Sequence, residues 1–486
     1  MTTVVIADTS QGLKEALDEV FSPFGGVQQA LPIPDGTLYV KPNGVHFSPY
    51  TYTDPIVLEA VLAYLRDHGY TRLAVMESST GGNFTRLVFQ VTGYARICRR
   101  YRAEPVYLDE GRTIQVDLCD GTRARISRRL HDEIVNRGSN PSTSPSTGPS
   151  TGSGRGSGCN LYLSLPKLKT HSMATVTLGV KNQQAFPVDA DRMERHCHRT
   201  LHRRLAALYD LTQPDFCIVE GLTATAHGHF PPTALLDECL VEMNVLIGGR
   251  DTLAVDVVGA RVLGYNLHEI EHLRLCAEWG LGESDLSRIQ VRVSETGEHP
   301  ATQKAASTST WVSRYTQRLP HTILRRFHPG VRWVVGRKRA CVEGCRGNSE
   351  CIQEMLYNDY YPSTGPSTDP STGPSTGSGR SDTGGWTLVC GSGFEEADLD
   401  DLPGDILVVG QCACQEVGET LAQRYLDRRI YRVDAHNDLM SNTRYQARLM
   451  GVTPVKMVPL NPLRSAFTLL RARLHNLKAR VPPLLG

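Results

Sequence analysis

The stretch from residue 165 to residue 182 reads LPKLKTHSMATVTLGVKN and places chemically active side chains in an apolar background. Lys169 and Lys181 can hold a negatively charged group, and His171 can accept or release a proton near neutral pH. Asn182 adds an amide that both donates and accepts hydrogen bonds. The pattern favours a site that binds an anion. The alternative interpretation is a strand end whose lysines extend into solvent.

Lys41 and Asn43 extend this set, because they lie at the end of a predicted strand, TLYVKP at residues 37–42. We expect Lys41, Lys169 and Lys181 to converge on one pocket. Three ammonium groups at close range repel one another, so such a pocket is favourable when an anion occupies it. Neighbouring cations also lower the pKa of a lysine, which suits the lysine to proton transfer.

A second candidate feature is the sequence ESSTGGN at residues 77–83. Glycines let backbone N–H groups converge on a phosphate or carboxylate, and hydroxyl groups add donors. The spacing is neither that of a P-loop nor that of a dinucleotide fingerprint, and the alternative is an ordinary turn between a strand and a helix. The predicted ligand-binding residues of this stretch are Ser79, Thr80, Gly81 and Gly82.

The cysteines of the C-terminal part form the densest set of potential metal ligands. CVEGCRGNSEC at residues 341–351 carries three thiols, and a C-A-C pair follows later in the chain. Thiolates at this density are typical of an iron–sulfur cluster or zinc. The spacing matches no ferredoxin motif, and the alternative is a set of free buried cysteines. The predicted metal ligands are Cys341, Cys345, Cys351, Cys412 and Cys414.

Histidines are concentrated in RHCHRTLHRRL at residues 195–205. His198 and His202 are four residues apart, so on a helix they would share one face and could bind a transition metal. The alternative is a basic surface helix without a metal.

Strands that alternate with helices must position these residues. The alternation predicts an α/β fold with a largely parallel sheet and helices on both faces, plus a second, smaller α/β domain that carries the cysteines. Polar or glycine-rich residues follow five predicted strands, the last of which ends in Gly249 and Arg250. Ligands of such sheets bind beyond the carboxyl ends of the strands. Further strands are predicted at residues 72–78, 160–165, 215–221 and 241–249, and helices at Thr53-Asp54-Pro55 and Asp251.

Two Pro/Ser/Thr/Gly repeats, residues 141–158 and residues 362–381, contain no apolar residue that could join a core. They are predicted to be disordered surface inserts that do not contact the site. The first interrupts an α/β domain at residues 1–295, and the second interrupts a cysteine-bearing α/β domain at residues 341–486. A basic linker at residues 296–340 is predicted between the two domains.

Composition excludes several classes of protein. A net charge of +1 over 486 residues argues against a dedicated nucleic-acid-binding protein. No apolar run reaches about 18 residues, so no transmembrane segment is expected, and the first residues lack the pattern of a signal peptide. Because neither a signal peptide nor a transmembrane segment is expected, we expect the thirteen cysteines to lie in a reducing compartment and the protein to be cytoplasmic. The C-terminal segment 461–481 is basic and amphipathic, which suits either peripheral membrane contact or docking on its own domain.

The order of these motifs resembles the family called domain of unknown function 362. The resemblance covers roughly residues 35–295 and is carried by VKPN, the helix opened by TDP, LAVMESST, LPKLKTH, TLGVKN, IVEG and RDTLAVDVVGARVLG. Members are often described as iron–sulfur proteins, and some carry a ferredoxin-like cysteine module. The resemblance therefore implies a fold and a site more than an activity. The C-terminal cysteine spacing of this chain departs from the ferredoxin-like module.

The sequence thus predicts a metal- or iron–sulfur-dependent enzyme that acts on an anionic small molecule and has a redox partner. The alternative is an anion-binding protein with a structural metal site and no catalysis. The cysteines would hold the metal in either case. The residues predicted to line the pocket are Lys41, Asn43, Lys169, His171, Lys181 and Asn182.

Overall fold

The structure is a computed structural model, and part of the chain is described by it. Both Pro/Ser/Thr/Gly repeats lie outside the described residues, as do Thr80, Gly81, Gly82, Cys341 and Cys351. The described residues are 1–33, 36–47, 50–79, 84–136, 160–194, 200–228, 236–293, 304–305, 308–321, 331–338, 340, 345–346, 349 and 386–434.

The described strands belong to one large sheet, one small sheet and one hairpin. Their bounds are β1 (Thr2–Asp8), β2 (Leu38–Pro42), β3 (Leu73–Glu77), β4 (Glu104–Tyr107), β5 (Thr113–Asp117), β6 (Arg123–Ser127), β7 (Leu161–Leu165), β8 (Lys167–His171), β9 (Thr175–Thr177), β10 (Phe216–Thr225), β11 (Leu240–Gly249), β12 (Ile289–Val293), β13 (Lys304–Ala305), β14 (Val331–Val335), β15 (Trp386–Cys390), β16 (Asp405–Val409) and β17 (Ile430–Val433).

Helices connect most of these strands. Their bounds are α1 (Leu13–Phe21), α2 (Val27–Ala30), α3 (Pro55–Asp67), α4 (Thr85–Val91), α5 (Tyr94–Arg100), α6 (Arg128–Leu130), α7 (Gly179–Asn182), α8 (Asp189–Glu194), α9 (Leu201–Thr212), α10 (Leu236–Cys239), α11 (Thr252–Val262), α12 (Glu271–Glu278), α13 (Thr308–Tyr315) and α14 (Gln411–Arg424). None of the described helices is long and apolar enough to cross a membrane.

The large sheet runs in the order β13-β12-β1-β11-β10-β7-β2-β3-β4, and β8 and β9 branch from β10. β10, β7, β2, β3 and β4 pair in parallel, which confirms the predicted α/β fold with a largely parallel sheet. β11 is antiparallel to both of its neighbours. Gly249 and Arg250 therefore lie at the opposite edge from the carboxyl ends of β2, β3 and β7. The prediction that they join the other strand ends is wrong, because a reversed strand presents its carboxyl end to the other side.

Hydrophobic cores lie on both faces of the large sheet. Along β1, Val4 and Ile6 belong to one core and Val5 and Ala7 to the other, as the two-residue period of a strand requires. Residues of α11, α12 and α13 fill the first core, and residues of α1, α3 and α5 fill the second. The prediction of helices on both faces is confirmed.

Two predicted helix starts are confirmed by their capping bonds. The Asp54 carboxylate accepts from Ile56 N at 2.9 Å, with Pro55 in the first turn of α3. The Asp251 carboxylate accepts from Ala254 N at 3.1 Å and begins α11. Such a cap contributes about 1 kcal/mol to helix stability. Asp54 and Asp251 therefore determine where the helices that follow β2 and β11 begin.

The small sheet pairs β14, β15, β16 and β17 in parallel, which confirms a second, smaller sheet. β16 leads directly into α14 across Gly410. α14 packs on one face of the sheet through Ala413, Val417 and Leu421. The residues predicted to form a basic linker contribute β13 and α13 to the large sheet and its core, and β14 to the small sheet.

Candidate functional site

Lys41 is the last charged residue of β2 and its side chain is fully buried. Its Nζ lies 3.0 Å from Glu77 Oε2 and 3.0 Å from Asn182 Oδ1. Glu77 ends β3, and Asn182 ends α7. Because β2 and β3 are parallel neighbours, their carboxyl ends meet at one edge of the sheet. The structure therefore brings Lys41 and Asn182 together, and adds an acid, Glu77, that was not among the predicted site residues.

The Glu77 carboxylate is held by three donors. Besides Lys41, it accepts from Gly44 N at 2.7 Å and from Ser78 N at 2.7 Å. A Cβ atom at Gly44 would lie 3.0 Å from Glu77 Cγ, so a side chain at this position would crowd the carboxylate. Burial lowers the pKa of Lys41, and the charge of Glu77 opposes that shift. The expected mutual repulsion of three ammonium groups is reduced at Lys41, because the Glu77 carboxylate pairs with it.

A second buried ion pair joins Lys167 of β8 to Glu220 of β10, with Nζ 3.0 Å from Oε2. The two strands are parallel and place these residues at one register position. Glu220 also accepts from Asp54 N at 3.1 Å and Leu222 N at 3.0 Å. This pair therefore ties β8 and β10 to the start of α3.

Lys169 and His171 follow Lys167 at intervals of two residues, so the three side chains share one face of β8. Lys169 is buried and its Nζ donates to Thr51 O. Burial, with the charges of Lys181 and Lys167, lowers the pKa of Lys169 well below its usual value. Burial thus favours the neutral form of the Lys169 amine more than water does.

His171 is also buried, and its Nδ1 lies 3.1 Å from Met173 N and 3.1 Å from Ala174 N. Both backbone groups are donors, so Nδ1 carries a lone pair and the ring proton lies on Nε2. The turn after β8 thus fixes both the tautomer and the direction of the imidazole ring.

Lys181 lies in α7, one residue before Asn182, and remains partly exposed. Burial, together with the neighbouring cations Arg192 and Lys41, lowers its pKa to about 7. Within the described residues, the two charged groups that shift the pKa of Lys181 are therefore cations. An amine with such a pKa exchanges protons readily at neutral pH.

Arg192 of α8 is a buried cation that the sequence analysis missed. Its guanidinium donates to Ser78 O at 3.2 Å, Ser79 O at 3.0 Å and Ser78 Oγ at 2.8 Å. It also donates to Ala185 O at 2.9 Å and Pro187 O at 3.0 Å. Arg192 thereby fixes the backbone that leads into the glycine-rich stretch. The Ser78 and Ser79 acceptors are 114 and 113 residues away in sequence, so no local pattern could have identified these contacts.

Ser79, the described member of the predicted ligand-binding loop, has a structural role in this arrangement. Its Oγ donates to Gly44 O at 2.7 Å, and its backbone N donates to Thr85 Oγ1 at 3.0 Å. The other three predicted loop residues, Thr80, Gly81 and Gly82, lie outside the described part of the chain.

We use the term cation cluster for Lys41, Lys167, Lys169, Lys181 and Arg192. Charge interactions connect its members: Lys169 with Lys167 and Lys181, and Lys181 with Lys41 and Arg192. The cluster lies where β2, β3 and β7 end and β8 begins, and the carboxyl ends of parallel strands are where an α/β sheet binds its ligand.

A buried histidine pair lies on the neighbouring helices. His202 of α9 and His272 of α12 have their Nδ1 atoms 3.4 Å apart and their rings stacked. Burial, with His202 and Lys181 as further causes, lowers the pKa of His272 well below its usual value. His198, the predicted partner of His202 in a metal site, lies outside the described residues.

The described cysteines of the small sheet lie on both of its faces. Cys390, at the end of β15, shares a core with Cys345, and a hydrogen bond from Cys345 raises the pKa of Cys390. Cys345 also packs against Gly410, and Gly410 precedes Cys412 by two residues in the sequence. Cys414 packs in the core on the α14 face, and burial raises its pKa to about 11.

An iron–sulfur cluster or structural zinc site requires four ligands. Within the described residues, no group of three or more His, Cys, Asp and Glu side chains could hold a metal ion. The described thiols therefore do not complete such a site by themselves, and further ligands would have to come from Cys341 and Cys351, which lie outside the described part of the chain.

The site and fold define an α/β protein with a cation cluster at the carboxyl ends of its parallel strands. The family model described as Domain of unknown function (DUF362) matches residues 38–135 and 157–261. The two segments flank the first repeat and contain every residue of the cation cluster. The chain thus carries a DUF362 domain, and the resemblance found in the sequence is confirmed. No curated protein matches the chain.

Proposed function

We propose that this chain is an enzyme that binds an anionic small molecule beside the cation cluster and exchanges a proton with it. The supporting observation is that positive side chains outnumber carboxylates in and around the buried cation cluster. Two of the five cations form close ion pairs with carboxylates, Glu77 and Glu220. Arg192 lies 3.9 Å from the Asp189 carboxylate and donates to neutral oxygens, as Lys169 does. Among the described residues, the charged groups that shift the pKa of Lys181 are cations. A bound anion would supply negative charge to this region.

Lys181 is the proposed acid–base group. With a pKa near 7 it is an efficient proton acceptor at neutral pH, and it keeps access to the solvent from which a ligand arrives. His171 is the second side chain of the proposed site, and the turn after β8 orients its ring through Nδ1. Asn182 and Lys41 would hold the polar end of the ligand, while the ion pairs keep the strand ends in place.

Binding of an anion would itself change the protonation of Lys181. A negative charge nearby favours the ammonium form and raises the pKa of the lysine. The ligand would therefore bind to the neutral amine and leave it protonated, with the proton taken from solvent or from the ligand. This coupling distinguishes an acid–base site from a passive anion-binding site.

Metal dependence remains part of the proposal for the C-terminal region. Cys341, Cys345 and Cys351, with Cys412, would hold zinc or an iron–sulfur cluster, and a cluster would supply electron transfer to a redox partner. The predicted ligand Cys414 is left out of this set because it packs on the opposite face of the small sheet from Cys345. No step at the cation cluster depends on that group. The second candidate function is an anion-binding protein with a structural metal site, supported by the same charge imbalance.

The direct test is anion binding measured by calorimetry and by thermal melting with phosphate, sulfate and a set of carboxylates. We expect at least one anion to stabilise the wild type, and Lys181→Met to weaken its binding by about 1–3 kcal/mol. Lys14→Met, which changes an exposed lysine of α1, is the matched control and should bind as the wild type does. Absence of any binding to the wild type would overturn the proposal.

The proposed setting is the cytoplasm, where a reducing potential keeps the thirteen cysteines as thiols. We also propose that the basic C-terminal segment, which lies outside the described residues, contacts either a membrane surface or the rest of the protein. Fractionation of cells that express the full chain, with and without residues 461–486, tests both statements.

A further inference from the structure

Asn43 carries a hydrogen-bond acceptor that nothing in the described structure uses. The residue is 8% exposed, and its Oδ1 atom is buried without a hydrogen-bond partner among the described residues. Buried polar atoms of folded proteins are nearly always paired, and an unpaired one costs free energy. Such an atom beside a candidate binding site points to a ligand group that completes it.

The direction of the Asn43 amide follows from its neighbours. The Lys41 ammonium can only donate, so the atom of Asn182 that lies 3.0 Å from it is the oxygen. The Asn182 Nδ2 group in turn donates to Lys41 O at 3.2 Å and to Ser164 Oγ at 3.1 Å. Asn43 Nδ2 lies 3.4 Å from the same Asn182 Oδ1. A reversed Asn43 amide would bring two oxygens together, so the unpaired atom is an acceptor.

The backbone holds Asn43 in this position. Asn43 N donates to Thr53 Oγ1 at 2.8 Å, and Thr53 N donates back to Asn43 O at 2.8 Å. The Thr53 hydroxyl donates to Leu165 O at 2.6 Å, which connects the loop after β2 to the end of β7. These hydrogen bonds fix the backbone of Asn43, so the position of its side chain beside the strand ends is set by the fold.

The surroundings of this oxygen are cationic. Asn182 Oδ1 contacts both Lys41 Nζ and Asn43 Nδ2, so the Asn43 amide lies next to the cation cluster. An amide oxygen carries partial negative charge and repels a carboxylate or sulfate oxygen. A simple anion would satisfy the cations and leave Asn43 unpaired. A ligand with an O–H or N–H group beside its negative group would satisfy both.

We infer that the ligand of this site is a small organic anion that also carries a hydrogen-bond donor next to its anionic group, as hydroxy acids and amino acids do, and that Asn43 Oδ1 recognises this donor. The inference rests on the proposed function and deepens it, because it separates the ligand from simple anions. Sites built to hydrogen-bond a ligand hydroxyl discriminate strongly against the analogue that lacks it, since the buried partner is then left unpaired.

The test compares ligands that differ only in the donor. Calorimetry on the full-length wild type would use malate against succinate, glycolate against acetate, and aspartate against succinate. We expect the donor-bearing member of at least one pair to bind about tenfold more tightly or better. Asn43→Leu, close to asparagine in size, should lose this preference and bind both members equally.

The wild-type comparison requires no variant, so the inference remains testable if Asn43→Leu fails to fold. Equal binding of both members of every pair would overturn the inference and leave the proposed function standing. In that case an ordered water, not the ligand, would donate to Asn43 Oδ1. A preference that survives in a folded Asn43→Leu would also overturn it. Absence of binding by all anions would overturn the proposed function itself.

Discussion

Lys167 and Glu220 form an ion pair in which Nζ lies 3.0 Å from Oε2 and the side chains are 2% and 0% exposed. For Lys181, fourteen residues further along the chain, the charged groups that shift its pKa within the described part of the protein are the cations Arg192 and Lys41. Two lysines of one short stretch therefore have opposite environments. Lys167 belongs to the scaffold of the strand ends, and Lys181 belongs to the proposed chemistry.

Replacement of Lys167 by methionine should destabilise the protein strongly. It would leave the Glu220 carboxylate buried without its cation, and breaking a buried pair in this way costs about 3–5 kcal/mol. Chemical denaturation at pH 7 measures the change in the free energy of unfolding. Lys14→Met is the control and should stay within about 0.5 kcal/mol of the wild type. A Lys167→Met protein as stable as the control would show that the pair is not a structural element.

Replacement of Lys181 by methionine should have the opposite effect, with a defined dependence on pH. The folded protein lowers the pKa of Lys181 to about 7 from its ordinary value of 10.5. Below pH 7 the folded state must hold an unfavourable charge, and above the ordinary value the lysine is neutral in both states. The unfolded state therefore binds more protons between these values, and the contribution of Lys181 to stability rises with pH.

The gain in stability from Lys181→Met should accordingly be largest at pH 6 and shrink steadily between pH 7 and pH 10. Denaturation curves at pH 6, 7.5 and 9, in buffers without binding anions, give the three values. A gain that does not vary with pH, or a loss of stability at pH 6, is incompatible with a Lys181 pKa near 7.

Arg192→Lys should loosen the loop that leads into the glycine-rich stretch. A lysine ammonium cannot reproduce the planar set of donors that contacts Ser78, Ser79, Ala185 and Pro187. We expect a loss of about 1–3 kcal/mol of stability, because buried carbonyls are left unpaired, together with faster amide exchange at Ser78 and Ser79. Arg123→Lys, at an exposed arginine, should change neither quantity. Unchanged exchange at both serines in Arg192→Lys would contradict the assigned role.

Much of the scaffold could be predicted from the sequence because its signals are local. Asp54 and Asp251 precede their helices at capping positions, and the apolar runs before Lys41 and Glu77 read directly as strands. The convergence of Lys41 with Asn182 followed from a general property of parallel sheets. These features depend on residue type and spacing within a few positions.

The pairing of charges could not be predicted in the same way. The contacts of Lys41 with Glu77 and of Lys167 with Glu220 depend on the register of neighbouring strands, and the role of Arg192 depends on distant carbonyls. The reversed direction of β11 also has no signature in its own sequence, so Gly249 was assigned to the wrong edge. Each of these features is set by tertiary arrangement.

The cysteine hypothesis makes a separate prediction for the C-terminal region. If Cys341, Cys345 and Cys351 bind one metal, each serine substitution should lower the metal content of anaerobically purified protein and destabilise the small sheet, because metal-binding energy contributes to folding. Cys414→Ala should keep the metal, since Cys414 packs on the opposite face of that sheet from Cys345. Equal metal content in the wild type and all three serine variants would rule out the site.

The measurement that tests the central claim most directly is the number of protons taken up when an anion binds. Calorimetric titrations at pH 8 in two buffers of different ionisation enthalpy give this number. Lys181 is mostly neutral at pH 8 in the free protein, and a bound anion raises its pKa, so we predict uptake approaching about one proton per anion. In Lys181→Met the uptake should be lost, whereas Lys14→Met should retain it. Anion binding without proton uptake in the wild type would contradict the assignment of Lys181 as the acid–base group.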